Sequence, residues 1–278
     1  MATDTFIIKY SGERELFDNT KLQNSLLRAG ALSKTADSIV NHIQDELQDG
    51  MTTAAIYKHA FSLLKKLERP VAARYSLRKA MTSFGPTGFP FEKYLAALFQ
   101  ARGFETLTDQ IVQGQCVPHE IDVVAYNPTK LIMVEAKFHN QIGEKSDLKV
   151  ILYVKARFDD LIEQIFSYGG PSRPLDEGWL ITNTKFTDRA ITYGKCAGVK
   201  MIGWNYPEKG NLQDLIEDVG LHPITCLTTL STPEKQLLFE EGIVLCNRMD
   251  DTQRLKSLGF KDEEIVKIQA EATAVCQV

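Results

Sequence analysis

The chain of 278 residues is larger than one compact domain usually is, so two or three domains are expected. A hydrophobic fraction of 44% and a charged fraction of 24% are ordinary for a globular protein, which excludes a fibrous repeat or a long disordered region. The net charge of -4 gives no overall attraction to nucleic acid, so DNA binding would need a local basic surface or a bound cation.

Neither a targeting segment nor a membrane-spanning segment is visible in the sequence. The start of the chain has no basic segment leading into a long apolar run, and no apolar stretch elsewhere reaches spanning length. We therefore expect a cytoplasmic protein with no membrane partner. The five cysteines are widely spaced and contain no CxxC pair, which predicts reduced thiols rather than a zinc site.

Residues 1–84 predict a small unit made of a β-hairpin followed by helices. The hairpin consists of strand patterns at 6–10 and 13–17, joined by a Ser11-Gly12 turn. Asp18 or Asn19 can cap the first helix, and apolar residues at three-to-four spacing predict further helices up to about residue 81.

A cluster of glycines and prolines at 83–90 marks a boundary, and the pattern changes after it. Residues 85–208 alternate between helical and strand-like segments, which predicts a mixed sheet flanked by helices. The expected helices cover 91–102, 146–166 and 187–197, and the expected strands cover 106–112, 117–126, 131–138, 179–182 and 199–204. The fold class predicted for the chain is therefore α/β (α+β).

Residues 209–278 contain only helical patterns, with segments at 224–230 and 233–245 among them. Their apolar spacing loosely resembles helix-hairpin-helix modules that grip DNA backbones, although the Gly-x-Gly hairpin of those modules is missing. The sequence leaves open whether these helices bind DNA, pack against the central unit or form a homodimer.

The functional prediction depends on three charged residues of the central unit. Asp122 lies in a mostly apolar strand, and Glu135 and Lys137 lie at the end of the next one. Because side chains alternate along a strand, Glu135 and Lys137 share one face. If the Asn127-Pro128 turn makes the two strands antiparallel, Asp122 reaches the same edge. The pattern then predicts two carboxylates and one ammonium group around a common point.

These groups match the needs of phosphodiester hydrolysis. Hard oxygen ligands hold Mg²⁺ or Mn²⁺, the cation activates a bound water, and a lysine stabilises the developing negative charge. The expected metal ligands are Asp122, Glu135 and the Ala136 carbonyl, with Lys137 next to the nucleophile. The alternative is a cross-strand ion pair on a solvated edge, which the apolar surroundings of both strands disfavour.

An aspartate, twelve residues and then Glu-x-Lys at the end of an apolar strand resembles the PD-(D/E)xK nuclease superfamily. The segment at 88–104 resembles the first helix of its Mrr-like restriction endonuclease branch, whose acidic residue can join the metal site. The resemblance implies Glu92 as a fourth catalytic residue, a restriction-endonuclease-like fold for 85–208, and DNA as the substrate. His119 and His139 flank the pattern, and we expect them to be surface neighbours.

The N-terminal unit resembles the ATP-cone, a nucleotide-sensing domain of ribonucleotide reductases and of some transcriptional repressors. The matching segments are Ile7-Ile-Lys9-x-x-Gly12, Glu15-x-Phe17-Asp18, Lys21-Leu, Thr53-x-x-Ile56 and Ala72-Ala-Arg74-Tyr75-x-Leu-Arg78. The resemblance implies that Lys9 and Lys21 approach the phosphates of ATP or dATP, with Glu15 and Thr53 as base or ribose contacts. No Walker A pattern occurs in the chain, so we expect the nucleotide to be an allosteric ligand rather than to be hydrolysed.

The leading hypothesis is an ATP-responsive, metal-dependent endodeoxyribonuclease that acts in restriction, defence or repair. The alternative is a non-catalytic, nucleotide-sensing DNA-binding regulator that keeps the nuclease fold as a scaffold. The intact set of Asp122, Glu135 and Lys137 favours the enzyme, because a scaffold has no need of all three. A third hypothesis has RNA or branched DNA as the substrate, which changes the surface around the metal site and leaves the site itself unchanged.

Overall fold

The computed structural model describes residues 5–85 and 87–276. The described residues up to 85 form three short strands and five helices: β1 (Phe6–Ile8), β2 (Arg14–Leu16), α1 (Asn19–Arg28), α2 (Ser33–Glu46), β3 (Met51–Thr52), α3 (Thr53–Leu67), α4 (Arg69–Tyr75) and α5 (Leu77–Ala80). The predicted hairpin is present as β1 and β2, and β3 adds to it in parallel with β1. Asp18 caps α1, because its carboxylate accepts hydrogen bonds from the first backbone N–H groups of the helix.

The central part is built on a five-stranded mixed sheet, which confirms the predicted fold class. Its elements are α6 (Phe89–Ala101), β4 (Glu105–Gln113), β5 (Pro118–Asn127), β6 (Lys130–Lys137), β7 (Lys145–Ser146), α7 (Leu148–Leu161), β8 (Ile165–Phe166), β9 (Arg173–Pro174), β10 (Glu177–Thr182), β11 (Lys185–Phe186), α8 (Asp188–Ala197) and β12 (Lys200–Ile202). The sheet order is β12-β10-β6-β5-β4, antiparallel from β4 to β6 and parallel from β6 to β12. Helix α7 ends earlier than predicted, because the chain then turns into the small β8-β9 hairpin.

Both faces of this sheet are covered. Leu131 and Met133 of β6 pack with α7, while Ile132 and Val134 pack with α6 and the C-terminal helices. All four side chains are buried, which explains why this strand is a continuous apolar run and not an alternating one.

The C-terminal part consists of helices and short 3₁₀ turns. The helices are α9 (Leu212–Glu217), α10 (Thr232–Glu240), α11 (Thr252–Ser257) and α12 (Asp262–Cys276), and the turns are Ile224–Cys226 and Cys246–Arg248. The helix predicted at 224–230 is therefore wrong beyond a single turn. The helix predicted at 233–245 is observed as α10 and ends before Gly242, whose φ of 73° lies in the left-handed region.

These C-terminal helices share one hydrophobic core with α5, α6 and the central sheet. The buried hydroxyl of Tyr94 on α6 also donates to the Leu221 carbonyl at 2.6 Å. Of the alternatives open from the sequence, packing against the central unit is thus the one observed. None of the helices in the described part of the chain is both long and apolar enough to cross a membrane.

Candidate active site at the end of the central strands

Asp122 lies where the pairing between β5 and β6 ends. The two strands are antiparallel across the Asn127-Pro128 turn, and their last paired residues are Val123 and Val134. Beyond this point Oδ2 of Asp122 accepts a hydrogen bond from the Ala136 backbone N–H at 2.6 Å. This bond replaces the missing ladder contact and holds the carboxylate next to the end of β6.

Glu135 and Lys137 follow directly after the buried part of β6. Glu135 is partly buried, Lys137 is exposed, and Ala136 between them packs against the core on the opposite face. The strand period of two therefore places both charged side chains on the α7 face of the sheet.

Helix α7 brings a cation to Glu135. Arg157 donates through Nη1 to the Glu135 carboxylate and, at 3.0 Å, to the Glu120 carbonyl. Its Nη2 donates to the Tyr153 hydroxyl at 3.0 Å. The side chains of Arg157 and Glu135 are only 11% and 18% exposed, so this ion pair is largely shielded from water and fixes the direction of the Glu135 carboxylate. A single helical arginine carries no sequence signal that would reveal this contact.

Two further acids approach Asp122. Glu92 lies in the first turn of α6, and Asp109 of β4 lies opposite Asp122, between the paired residues Thr108↔Val123 and Gln110↔Ile121. Asp109 is within hydrogen-bonding reach of Glu92 and has a φ of 55°, a left-handed conformation that costs energy for any residue with a side chain. The sequence interpretation missed Asp109, although aspartate within a strand pattern is a weak signal for such a conformation. Glu92, Asp109, Asp122 and Glu135 are termed the acidic edge.

Burial and mutual repulsion raise the pKa values in the acidic edge. For Glu92 and for Glu135, burial is the largest cause, the charge of Asp122 comes next, and each pKa rises to about 7. Burial also raises the pKa of Asp122, although the Ala136 hydrogen bond and the charge of Arg157 act against it. Partly buried acids with raised pKa values are typical of functional sites.

The donor atoms of the acidic edge fit a hard divalent cation. Carboxylate and carbonyl oxygens are the ligands that Mg²⁺ and Mn²⁺ prefer, and a cation among them would offset the repulsion that raises their pKa values. The oxygens of Glu92, Asp122 and Glu135 do not all lie within 4.8 Å of one another, and Glu135 faces Arg157. Gathering them around one ion would therefore require side-chain movement.

Among the described residues, one group does meet this spacing, and it consists of two histidines and one glutamate of the N-terminal unit. His42 Nε2 and His59 Nδ1 lie 3.3 Å and 3.5 Å from the two carboxylate oxygens of Glu46. The i,i+4 spacing of His42 and Glu46 is visible in the sequence, but the approach of His59 depends on how α3 packs against α2.

The two histidines that flank the central pattern make contacts of their own. His119 Nε2 lies 2.8 Å from the Asp160 carboxylate, on the side of α7. The backbone of His139 is hydrogen-bonded to the side chain of Asn183. The Asn183 amide oxygen accepts from the His139 backbone N–H at 2.8 Å, and the Asn183 amide nitrogen donates to the His139 backbone carbonyl at 2.7 Å. Asn183 also donates to the Met81 carbonyl at 2.9 Å, so it links the end of the N-terminal unit to the loop that follows Lys137.

Of the four residues predicted to contact nucleotide, three lie together. The Glu15 carboxylate is 2.8 Å from Lys9 Nζ and 3.5 Å from Lys21 Nζ, and Lys9 Nζ also lies 3.2 Å from the Glu13 carboxylate, so the two ammonium groups are balanced by two carboxylates. Thr53 is the first residue of α3 and instead lines a cavity of about 1080 Å³ between the N-terminal unit and the rest of the chain, which is termed the interdomain cavity. Its walls carry six cationic side chains and one carboxylate, that of Glu217.

Three protein families match successive parts of the chain. The family described as ATP cone domain matches residues 5–82, an Mrr catalytic family described as restriction endonuclease matches 86–205, and a family described as AF1548-like, C-terminal, matches 222–276. The resemblances to the ATP-cone and to Mrr-like restriction endonucleases are thereby confirmed.

Individual relatives extend this result. A protein of Archaeoglobus fulgidus described only as uncharacterized is 38% identical over 186 residues, which cover 65% of this chain and 99% of that protein. The crystal structure of AF1548, a protein of unknown function, aligns with 35% identity and a TM-score of 0.56, covering 68% of this chain and 98% of that chain. The crystal structure of protein VC1899 from Vibrio cholerae gives 14% identity and a TM-score of 0.28, covering 72% of this chain and 52% of that chain, which is too low to support an argument. The chain belongs to the AF1548-like family, and it carries an ATP cone domain and a restriction endonuclease domain.

Proposed function

We propose that this protein is a nucleotide-responsive, metal-dependent endodeoxyribonuclease that hydrolyses DNA phosphodiester bonds. One observation carries the proposal: within a restriction endonuclease domain, Asp122 is hydrogen-bonded to Ala136 between Glu135 and Lys137, at the open end of the β5-β6 pairing. Repulsion among the neighbouring acids supports it, because a structural role gives no reason to gather like charges in a half-buried place.

Each residue has a separate role in this proposal. Asp122, Glu135 and the Ala136 carbonyl would hold Mg²⁺ or Mn²⁺, which supplies charge neutralisation and a water of lowered pKa. The exposed ammonium group of Lys137 would contact a phosphate oxygen and stabilise the negative charge that develops there. Glu92, with a pKa raised to about 7, would exchange a proton with water or with the leaving oxygen near neutral pH.

The ion pair between Glu135 and Arg157 favours a second candidate, a non-catalytic, nucleotide-sensing regulator that binds DNA through the nuclease fold. In an enzyme, Glu135 must exchange the guanidinium group for the cation when the metal binds. In a regulator, the ion pair is permanent and keeps the fold intact without chemistry.

DNA cleavage separates the two candidates. Plasmid and linear DNA are incubated with Mg²⁺ or Mn²⁺, with and without ATP, and with wild type, Asp122→Ala or Lys137→Ala. We expect cleavage by the wild type and a loss of about 100-fold or more in each variant, since each removes a group that acts on the transition state. The control is Lys209→Ala, which removes an exposed lysine after β12 and should cleave like wild type. Equal cleavage by all four proteins would show that Asp122 and Lys137 do not form the active site. DNA binding without cleavage by the wild type would support the regulator.

The nucleotide part of the proposal rests on the match to the ATP cone domain and on Lys9 and Lys21, whose ammonium groups both approach the Glu15 carboxylate. Calorimetric titration of ATP and dATP into wild type and Lys21→Ala is its test. We expect weaker binding to the variant, because a charge-assisted phosphate contact is lost. Equal affinity of wild type and Lys21→Ala for the nucleotides would show that Lys21 does not contact them.

A further inference from the structure

Two histidines and one glutamate meet at the surface of the N-terminal unit. His42 and Glu46 lie one turn apart near the end of α2, and His59 lies in the middle of α3. Their side chains are 46%, 54% and 32% exposed, respectively, so an ion from solution can reach all three. This group is termed the histidine cluster.

The packing of α2 against α3 holds the histidine cluster in place. Ile43, directly after His42, and Ala60, directly after His59, are buried in one hydrophobic core. Each histidine therefore lies at the rim of the interface between the two helices, where apolar contacts fix its backbone and its ring reaches water. The two rings lie edge to face, with centroids 5.1 Å apart.

The donor atoms of the histidine cluster have the spacing of a tetrahedral metal site. Nε2 of His42 lies 3.3 Å from one carboxylate oxygen of Glu46, and Nδ1 of His59 lies 3.5 Å from the other. Two ligands that each bind a tetrahedral Zn²⁺ ion at about 2.0–2.1 Å are about 3.4 Å apart. The three donor atoms all lie within 4.8 Å of one another, so one ion can contact all three residues after small side-chain rotations.

The chemistry of these ligands selects a transition metal. Imidazole nitrogen suits Zn²⁺, Cu²⁺ and Ni²⁺, whereas Mg²⁺ and Ca²⁺ prefer sites made of oxygen. Two histidines and one glutamate are also a ligand set that Zn²⁺ uses with water in its fourth position. The cysteine pattern predicts no zinc site made of thiols, and the histidine cluster contains none. It therefore differs in kind from the acidic edge, whose oxygens suit Mg²⁺ or Mn²⁺.

The end of α2 also favours a bound cation. Asp45 and Glu46 are the last two residues of this helix, and its last turn holds no lysine or arginine. The C-terminal end of a helix carries partial negative charge, so acids there are unfavourable unless a positive charge lies near them. A divalent ion bound to Glu46 supplies that charge, which neutral imidazole rings do not.

We propose that His42, Glu46 and His59 bind one divalent transition-metal ion of the Zn²⁺ type, with a water molecule as a further ligand. This inference goes beyond the proposed function and does not rest on it. The ion links α2 to α3 and closes the segment between them, which carries β3. Because β3 pairs with β1, the ion stabilises the small sheet of the N-terminal unit as well as its helices.

Calorimetric titration of Zn²⁺ into the full chain tests the inference. The variants are His42→Ala, His59→Ala and Glu46→Gln, and the matched controls are Asn41→Ala and Asp45→Asn, at exposed positions of the same helix outside the cluster. We expect wild type and both controls to bind one Zn²⁺ ion at the cluster. Loss of a residue that only orients a metal ligand costs about 10–100-fold in affinity, so loss of a ligand should cost about 100-fold or more.

Co²⁺ serves as a spectroscopic probe of the ligands. A four-coordinate Co²⁺ ion absorbs visible light far more strongly than the hydrated ion, and thiolate ligands add charge-transfer bands in the near ultraviolet. We expect strong visible bands without thiolate bands in wild type, and their loss in His42→Ala and His59→Ala. Thermal unfolding shows that each variant is folded, and Zn²⁺ should raise the unfolding temperature of wild type and controls more than that of the cluster variants.

Wild-type affinity for Zn²⁺ in His42→Ala and His59→Ala would overturn the inference, as would a wild type that does not bind Zn²⁺ at micromolar concentration. Binding that is lost in Asp122→Asn and kept in the histidine variants would place the ion at the acidic edge, so the inference would be wrong and the proposed function would stand. Loss of Zn²⁺ binding in the histidine variants supports the inference whether or not the protein cleaves DNA.

Discussion

Two places in this protein gather charge of one sign, and they are built differently. The acidic edge forms where two neighbouring strands separate, and Arg157 is the cation bonded to it. The interdomain cavity gathers cations from helices that are far apart in the chain, and its one carboxylate is engaged elsewhere. Burial favours the neutral form in both places: together with the charge of Asp122 it raises the pKa of Glu135 to about 7, and it lowers the pKa of Lys235.

The difference shows what each place lacks. Like charges held together in a half-buried space destabilise the folded chain unless a ligand of the opposite sign compensates them. A divalent cation would compensate the acidic edge, and an anion would compensate the cavity. Substitutions that remove one charge should therefore affect ligand binding and folding stability in opposite directions.

The largest effect is expected from Asp122→Asn. Cleavage should fall by about 100-fold or more, because a metal ligand is lost. The substitution also removes a charge next to Glu92 and Glu135, so the unfolding temperature should be equal to or higher than that of wild type. Addition of Mg²⁺ or Mn²⁺ should raise the unfolding temperature of wild type and have little effect on the variant, because the ion stabilises only the protein that binds it. Cleavage assays and thermal unfolding with and without the ion give both results.

The matched control is Asp218→Asn, which neutralises an exposed acid after α9 and should change neither activity nor the ion effect. A variant at Asp122 that unfolds at a markedly lower temperature would show that this carboxylate stabilises the fold through Ala136. The prediction that repulsion among the acids destabilises the acidic edge would then be wrong.

The same contrast explains how much could be predicted from the sequence. The positions of Asp122, Glu135 and Lys137 follow from strand alternation and one turn, which are local properties, and the helix that carries Glu92 has a recognisable pattern. The participation of Asp109 and Arg157 depends on the register of β4 and on the rotation of α7. The interdomain cavity was not predictable, because its walls come together only through the packing of the C-terminal helices on α5 and α6.

A smaller effect, on stability rather than on catalysis, is expected from Glu271→Ala beside the interdomain cavity. The Glu271 carboxylate on α12 accepts from the backbone N–H groups and hydroxyls of Thr228 and Thr229 at 2.6–3.0 Å. Burial would raise its pKa, but these hydrogen bonds outweigh burial and lower it. Removal leaves the donors unpaired and should lower the free energy of unfolding by about 2–3 kcal/mol, as measured by denaturant unfolding.

Thr228 lines the interdomain cavity and Glu271 does not, so this carboxylate supports a wall of the cavity from behind. The exposed control Glu263→Ala on the same helix should keep the stability of wild type. Unchanged stability in Glu271→Ala would mean that the C-terminal helices hold this wall by apolar packing alone.

The smallest effect is a pH dependence that arises from His222, next to the same region. The ring is 2% exposed, its Nδ1 lies 3.3 Å from the Gly220 carbonyl, and its Nε2 has no partner among the described residues. Burial lowers its pKa from 6.5 to about 4, the contact with Gly220 opposes this shift, and the charge of Arg74 adds to it.

Between pH 6.5 and pH 4 the unfolded chain therefore binds a proton at His222 that the folded chain does not bind. Stability should be unaffected by this group above that range and should fall as the pH is lowered through it, by about 1.4 kcal/mol between pH 8 and pH 5.5. Urea unfolding of wild type and His222→Gln at both pH values isolates the contribution, because the other titrating groups are common to the two proteins. We expect a smaller pH difference in the variant. An equal difference in the two proteins would mean that burial does not lower the pKa of His222 in the folded chain.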